Sequence, residues 1–453
     1  MIVVIQIDNI QSRIFCELPL MKNLSDLLSY EVPGAFFAKQ NVSYQWDGRH
    51  RLLKKTKDGY ASFPTGLLQR VEKFLKLRSI RYQVEDTRTV PGLAREFGWD
   101  WEHEPHYYQK DARDATEASP RGVFHIGTGG GKTVLSSLIV DKKGVQTLFA
   151  TPDIGLREQA YERYCEFFSE SDVTKDIEDL KSPIVIANIQ GLVNKKPKLF
   201  ERFRMLMIDE FHHAAADSYL KLNQMSCNAF YRYGFTGTFL RTDGTDMSMH
   251  GVLSELIYKK TTSELIEEGF LVRPYITIYR YQTKMPGRCA YQTAYKSITE
   301  EIPLQELIAK ITNEKIAEGK QSLVLVRRVE HGEALSNLIP EAVYLDGSAS
   351  IEHREKVKAD FAKKKVKCII ATKIFGEGTD VPAIDFLANA RFQKTEIETM
   401  QGIGRALRKS PGKTKAEIVD FLIVGQKHLT NHSIERINSY KKEPAFRIKV
   451  VRA

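Results

Sequence analysis

The sequence predicts an α/β protein: two tandem parallel-sheet domains preceded by a small α+β N-terminal domain. Three observations carry this. From about residue 96, short apolar runs alternate with helical stretches, which is the pattern of parallel α/β architecture. A second set of such runs begins after 264-ELIEEGFLVRP-274, where Pro274 and a renewed strand pattern mark a linker. The residues before that alternation instead mix a strand, a hairpin and one amphipathic helix. The expected divisions are 1–95, 96–262 and 263–453.

In the first division Met1–Ile7 alternates like a strand, and 49-RHRLLKKTKDGYASF-63 predicts a hairpin turning at Asp58-Gly59. In 65-TGLLQRVEKFLKLRS-79, Leu67, Leu68, Val71, Phe74 and Leu75 share one helical face, with Thr65 as the expected N-cap. The opposite face carries Arg70, Lys73, Lys76 and Arg78. Expected strands of the second division are 121–126, 146–151, 183–188, 204–209 and 232–237. Those of the third include 321–326, 342–347 and 366–372, and the basic tail 436–453 ends in an alternating segment.

A chain of 453 residues exceeds one ordinary core. Its 42% hydrophobic and 27% charged residues lie in the globular range, and no low-complexity tract or tandem repeat suggests disorder. A net charge of +10 fits a polyanionic partner, although solubility or membrane attraction would use the same surface. The five cysteines are scattered and never form C-x-x-C, which argues against a disulfide framework and a zinc site. The N-terminus lacks the n-region of a signal peptide, and no apolar run nears the roughly 18–20 residues that span a bilayer. A cytoplasmic protein without membrane attachment is expected.

The chemistry begins at 125-HIGTGGGKT-133, which follows an expected strand and precedes an expected helix. Glycines 127, 129, 130 and 131 free the backbone N–H groups to surround phosphate oxygens, and the helix N-terminus adds positive potential. In this reading Thr128, Gly129, Gly130 and Gly131 form the cradle, Lys132 reaches the β- and γ-phosphates, and the Thr133 hydroxyl holds Mg²⁺. Ile126 stands where a strict phosphate loop has its first glycine. A glycine-rich turn with an incidental GKT would look the same.

The partner motif is 209-DEFHH-213. Asp209 ends an apolar strand, so its carboxylate emerges at the C-terminal edge of a parallel sheet and suits Mg²⁺. Glu210 is placed to orient or deprotonate water. A lone Asp-Glu pair also suits a helix start, so its weight comes from the phosphate loop upstream. No metal other than Mg²⁺ is expected, because the adjacent histidines have no third ligand at metal spacing.

The DExH box 209-DEFH-212, then 234-GFTGTFLRTDG-244 and 401-QGIGRALR-408, resemble in type and order the motifs of superfamily 2 helicases and translocases. The resemblance runs over roughly residues 105–425 and implies two RecA-like domains with ATP in the cleft between them. It implies that Gln109 reads adenine, and that Thr151 and Pro152 in 150-ATPDIGLREQ-159 and Gln190 in 186-IANIQGL-192 contact a DNA strand. His212, Thr236 and Thr238 would couple hydrolysis to domain movement. In the second motor domain, Gly378 and Asp380 would link nucleotide to nucleic acid, and Gln401, Arg405 and Arg408 would serve the γ-phosphate. In this family the first loop glycine is not obligatory, so Ile126 is tolerated.

The flanks 46-WDGRHRLLKK-55, 59-GYASFPTGLLQRVEKFL-75 and 433-SIERINSYKKEPAF-446 resemble phage UvsW-type recombination helicases, whose front domain is similar to one of the XPB-like group. Trp46, Arg49, Arg51, Lys54 and Lys55 are then the expected DNA contacts of the front domain; an ordinary exposed hairpin with a buried Trp is the alternative. The implied activity is a DNA-stimulated ATPase that remodels branched DNA by branch migration, fork regression or D-loop unwinding. A translocase subunit of a restriction or defence system, an RNA helicase and a catalytically silent binding module remain open alternatives.

Overall fold

The computed structural model describes residues 2–32, 46–92, 95–100, 102, 104–211, 216–237, 247–285, 289–372, 384–394 and 396–453. The chain divides into two compact units: Met1–Ile126 with Gly131–Lys259, and Gly127–Gly130 with Lys260–Ala453. The small front domain and the first parallel sheet thus belong to one unit.

The front sheet contains β1 (Val3–Ile7), β2 (Gln11–Phe15), β5 (Lys54–Lys55), β6 (Ala61–Pro64) and β7 (Tyr82–Asp86), in the order β5-β6-β2-β1-β7. Alternation in β1 buries Val3, Ile5 and Ile7, which pack with residues of α1 (Leu18–Leu27) and α2 (Leu68–Leu77). The expected hairpin is shorter than its sequence suggests. Only β5 pairs with β6, across a turn in which Gly59 has φ +85°, whereas β4 (Arg49–Arg51) pairs antiparallel with β3 (Ser29–Glu31). The cause is local: Arg49 donates to Ser29, and Arg51 pairs with Asp26 and Asp47. Thr65 is not an N-cap either, because its hydroxyl bonds the Asp8 carbonyl and the chain enters α2 through a short 3₁₀ turn.

The front domain seats on the first parallel domain at close range. A Cβ at Gly66 would lie 2.1 Å from the His250 carbonyl oxygen, so only glycine fits. Arg70 pairs with Glu255 at 3.0 Å, and the buried Arg121 reaches the Asn9 carbonyl at 2.6 Å.

The first parallel domain contains β8 (Arg121–Ile126), β9 (Thr147–Thr151), β10 (Val173–Thr174), β11 (Ile184–Asn188), β12 (Met205–Asp209), β13 (Tyr231–Thr236) and β14 (Leu256–Lys260). Their order is β10-β11-β9-β12-β13-β8-β14. β8 and β9 are buried along their whole length, and β11 and β12 except at the last residue. That is why these segments read as continuous apolar runs. The second unit repeats the plan with β15 (Arg273–Gln282), β16 (Ser322–Leu325), β17 (Ala342–Leu345), β18 (Cys368–Ala371), β19 (Phe386–Asn389), β20 (Lys415–Val424) and β21 (Arg447–Arg452). Its order is β17-β18-β16-β19-β20-β15-β21, and every neighbouring pair is parallel.

Candidate active site

The strands of the first parallel domain end together, and the predicted chemistry stands at those ends. β8 stops at Ile126, which is 1% exposed. Its bulk therefore belongs to the core, and the loop proper starts one residue later. Gly129 and Gly131 adopt φ +87° and +77°, backbone that L side chains rarely take. Gly131 caps α3 (Lys132–Lys143), whose leading N–H groups have no intrahelical acceptors. The Thr128 hydroxyl oxygen is buried and without a hydrogen-bond partner among the described residues. A left-handed cap and helix N–H groups without intrahelical acceptors are what an anion such as a triphosphate would take.

Lys132 forms an ion pair with the buried Glu210, two residues that are 78 apart in sequence. β12 delivers Asp209 to the same edge, where its Oδ1 accepts the Glu210 N–H at 3.0 Å. Burial, with Glu210 adding to it, raises the Asp209 carboxyl above its ordinary pKa, and Lys132 opposes the shift. Glu210 has φ +41°, a strained conformation for a residue with a side chain. Strain of this kind persists where surrounding packing enforces it, often at functional positions. Thr133 and Asp209 fit Mg²⁺ as two hard oxygen donors, the small protein share such an ion takes when phosphates supply further ligands.

Gln109 is buried near the start of the helix Tyr107–Asp114. Its Oε1 accepts the His106 N–H at 2.9 Å and its Nε2 donates to the Gly131 carbonyl at 3.4 Å, so it braces the loop. Thr151 ends β9 and gives its hydroxyl to the Asp153 carbonyl at 3.0 Å, with Pro152 between them. Gln190 is exposed just beyond β11, and Thr236 is buried at the end of β13. The structure thus brings Lys132, Asp209 and Glu210 together and sets Thr151, Gln190 and Thr236 at the ends of strands of that sheet. His212 and Thr238 lie outside the described residues.

In the second unit, Gln401 and Arg405 are both buried on the helix Glu396–Ala406, and Arg408 follows its end. Gly378 and Asp380 lie outside the described residues. A network that sequence reasoning missed stands nearby: the Arg436 guanidinium pairs with Asp420 at 2.9 Å, and Asn389 and Tyr440 donate to the same carboxylate. The only sequence signal for it was a carboxylate inside an apolar strand, 417-EIVDFLIV-424.

The expected DNA contacts of the front domain separate into two sets. Trp46 bonds the Arg49 carbonyl at 3.1 Å, and Arg49 and Arg51 are held by the internal partners described above. Lys54 and Lys55 are exposed on β5.

Comparison with known proteins follows the same layout. Residues 102–241 match the family model "Type III restriction enzyme, res subunit", and residues 303–410 match "Helicase conserved C-terminal domain". The chain is 26% identical to the ATP-dependent DNA helicase uvsW of Enterobacteria phage T4 over 95% of each sequence. It is 24% identical to the DNA 3'-5' translocase XPB2 of Sulfurisphaera tokodaii, over 67% of this chain and 78% of that one. Among solved structures, a fragment of a putative HsdR subunit of a type I restriction enzyme from Vibrio vulnificus shares the fold. Its TM-score is 0.58 at 17% identity, over 91% of this chain and 90% of that one. Among the described residues no helix is long and apolar enough to cross a membrane.

Proposed function

The chain belongs to the superfamily 2 helicases and is an ATP-dependent enzyme, and from that premise we propose that it remodels branched DNA. The observation that carries the proposal is the extent of the uvsW likeness. It covers 95% of each sequence, so it takes in the front domain as well as the motor. A motor that pulls on one strand while a front domain holds a duplex arm shifts the branch point.

In this reading Lys132 leaves Glu210 for the β- and γ-phosphates, and the freed Glu210 carboxylate orients the attacking water. Thr133 and Asp209 hold Mg²⁺, which supplies charge neutralisation at the phosphates when bound. Arg405 and Arg408 supply fixed cations for the charge that develops in phosphoryl transfer, and Gln401 accompanies them on the same helix. In the same reading Thr151, Pro152 and Gln190 grip the backbone of a DNA strand, and Lys54 and Lys55 are the exposed cations of the front hairpin.

The test is ATP hydrolysis and strand remodelling measured side by side on single-stranded, duplex, forked and four-way DNA, with RNA as control. Remodelling of forked and four-way DNA at rates well above duplex unwinding supports the proposal; equal rates on all DNAs, or stimulation by RNA alone, contradict it. A restriction-type translocase is the second reading, favoured by the res-subunit match at residues 102–241. It predicts hydrolysis stimulated by unbranched duplex and co-purification with a nuclease or methyltransferase.

A further inference from the structure

Helix Glu396–Ala406 is followed by 407-LRKSPGKTK-415, which doubles back on the helix. Ser410-Pro411-Gly412-Lys413 has the residues of a type II turn, with proline second and glycine third. The structure bears the signature out: the Lys413 N–H donates to the Ser410 carbonyl at 3.0 Å, and Gly412 has φ +79°. The reversal carries the Lys413 side chain beneath the helix it has just left. There Nζ donates to the carbonyl of Ala406, the last helical residue, at 2.6 Å, and to that of Ile384 at 2.5 Å.

Both bonds have physical content. The last carbonyls of a helix lack intrahelical partners and carry partial negative charge, so an ammonium there satisfies an acceptor and opposes the dipole. The Ile384 carbonyl lies two residues before β19, so the same ammonium joins the end of the arginine-bearing helix to an entry of the sheet. We propose that Lys413 is a positioning residue for ATP hydrolysis: its ammonium pins the C-terminal turn of helix Glu396–Ala406 and so fixes where Arg405 and Arg408 present their guanidinium groups. This rests on the assignment of those arginines to phosphoryl transfer made above. Burial pushes the Lys413 ammonium down to about 8, with Arg408 pushing the same way and Asp385 against it. A lysine kept in so unfavourable a setting has bonds that depend on its place.

The test is a double-mutant cycle on the full chain, read as kcat and KM for ATP in the presence of DNA. Lys413→Met should lower kcat about tenfold to a hundredfold, the cost of misplacing a catalytic group by about 1 Å. KM for ATP should stay within about twofold, because no ATP-binding group has been removed. Lys413→Arg, which keeps the charge and donors, should recover most of the loss. The combination Lys413→Met with Arg405→Ala should lose clearly less than the product of the two single losses, since only Arg408 is then left for Lys413 to position. Losses that multiply in the double variant, or a Lys413→Met enzyme at wild-type kcat, overturn the proposal. Wild-type kcat in Arg405→Ala alone overturns the arginine assignment itself, and that single variant separates the two failures. If Lys413→Met does not fold, as judged by its melting curve, Lys413→Gln carries the same test.

Discussion

The two parallel sheets share a plan and differ in what their polar residues do. In the first unit the strand ends hold groups with open chemistry: a strained Glu210 and a lysine on a carboxylate it would exchange for phosphate. In the second unit two buried polar clusters are bonded within the fold. Asp420 receives Arg436, Asn389 and Tyr440 in a buried network, and Lys413 closes two carbonyls at once. In the proposed reading one sheet carries reacting groups and the other holds a pair of arginines in place. The same fold accommodates both because function resides in what is mounted on the sheet edge, not in the sheet.

This contrast separates variants by the quantity they change. The largest effect is expected for Glu210→Gln, which should lower kcat about a thousandfold at nearly unchanged KM for ATP, since it removes a group used only in the chemical step. Phosphate release under saturating ATP and DNA measures it, and a loss confined to KM would contradict the assignment. Asp420→Ala attacks the other sheet. It strands a buried Arg436 guanidinium and should cost about 3–5 kcal/mol of stability, read as a large drop in the melting temperature of the second unit.

A pH effect of intermediate size follows from His331, buried against Phe392 with neither ring nitrogen bonded among the described residues. Burial, aided by Arg328, lowers its pKa to about 4 from an unperturbed 6.5. The unfolded chain therefore binds a proton below about pH 6.5 that the folded chain refuses until about pH 4. The contribution is complete above pH 6.5 and is lost as pH falls through that window, by roughly 3 kcal/mol at most. Melting curves at pH 7.5 and 5 should show a loss that His331→Phe reduces; an unchanged loss in that variant would contradict the assignment. The smallest effect is expected for Lys54→Glu with Lys55→Glu, which should weaken forked-DNA binding several-fold in low salt and leave hydrolysis on single strands unchanged.

The residues that sequence made legible share a property: their partners are local, or their chemistry is spaced in a recognised way. Lys132, Thr133, Asp209 and Glu210 stand out because the glycine run and the apolar strand frame them. The central strands of the first sheet were readable because burial on both faces leaves an unbroken apolar run, as in 205-MLMI-208, whereas β19 and β20 of the second sheet were not among the expected strands. β14 and β10 were not read, the first a mixed edge strand and the second two residues long. Arg49 and Arg51 looked like free cations because nothing in their spacing announces Ser29, Asp26 or Asp47 as partners. Lys413 and the Asp420–Arg436 pair were invisible for a related reason: their bonds run to backbone carbonyls or across two elements.

In the proposed function Lys132 and its strand-end partners form the nucleotide site of a DNA-driven motor. Phosphate release by Lys132→Ala, measured with and without DNA beside its DNA-binding curve, tests this most directly. DNA-stimulated hydrolysis should disappear while DNA affinity stays within about threefold, since in the proposed reading Lys132 bears on phosphate transfer and not on the DNA backbone. Retained DNA-stimulated turnover in Lys132→Ala would contradict it.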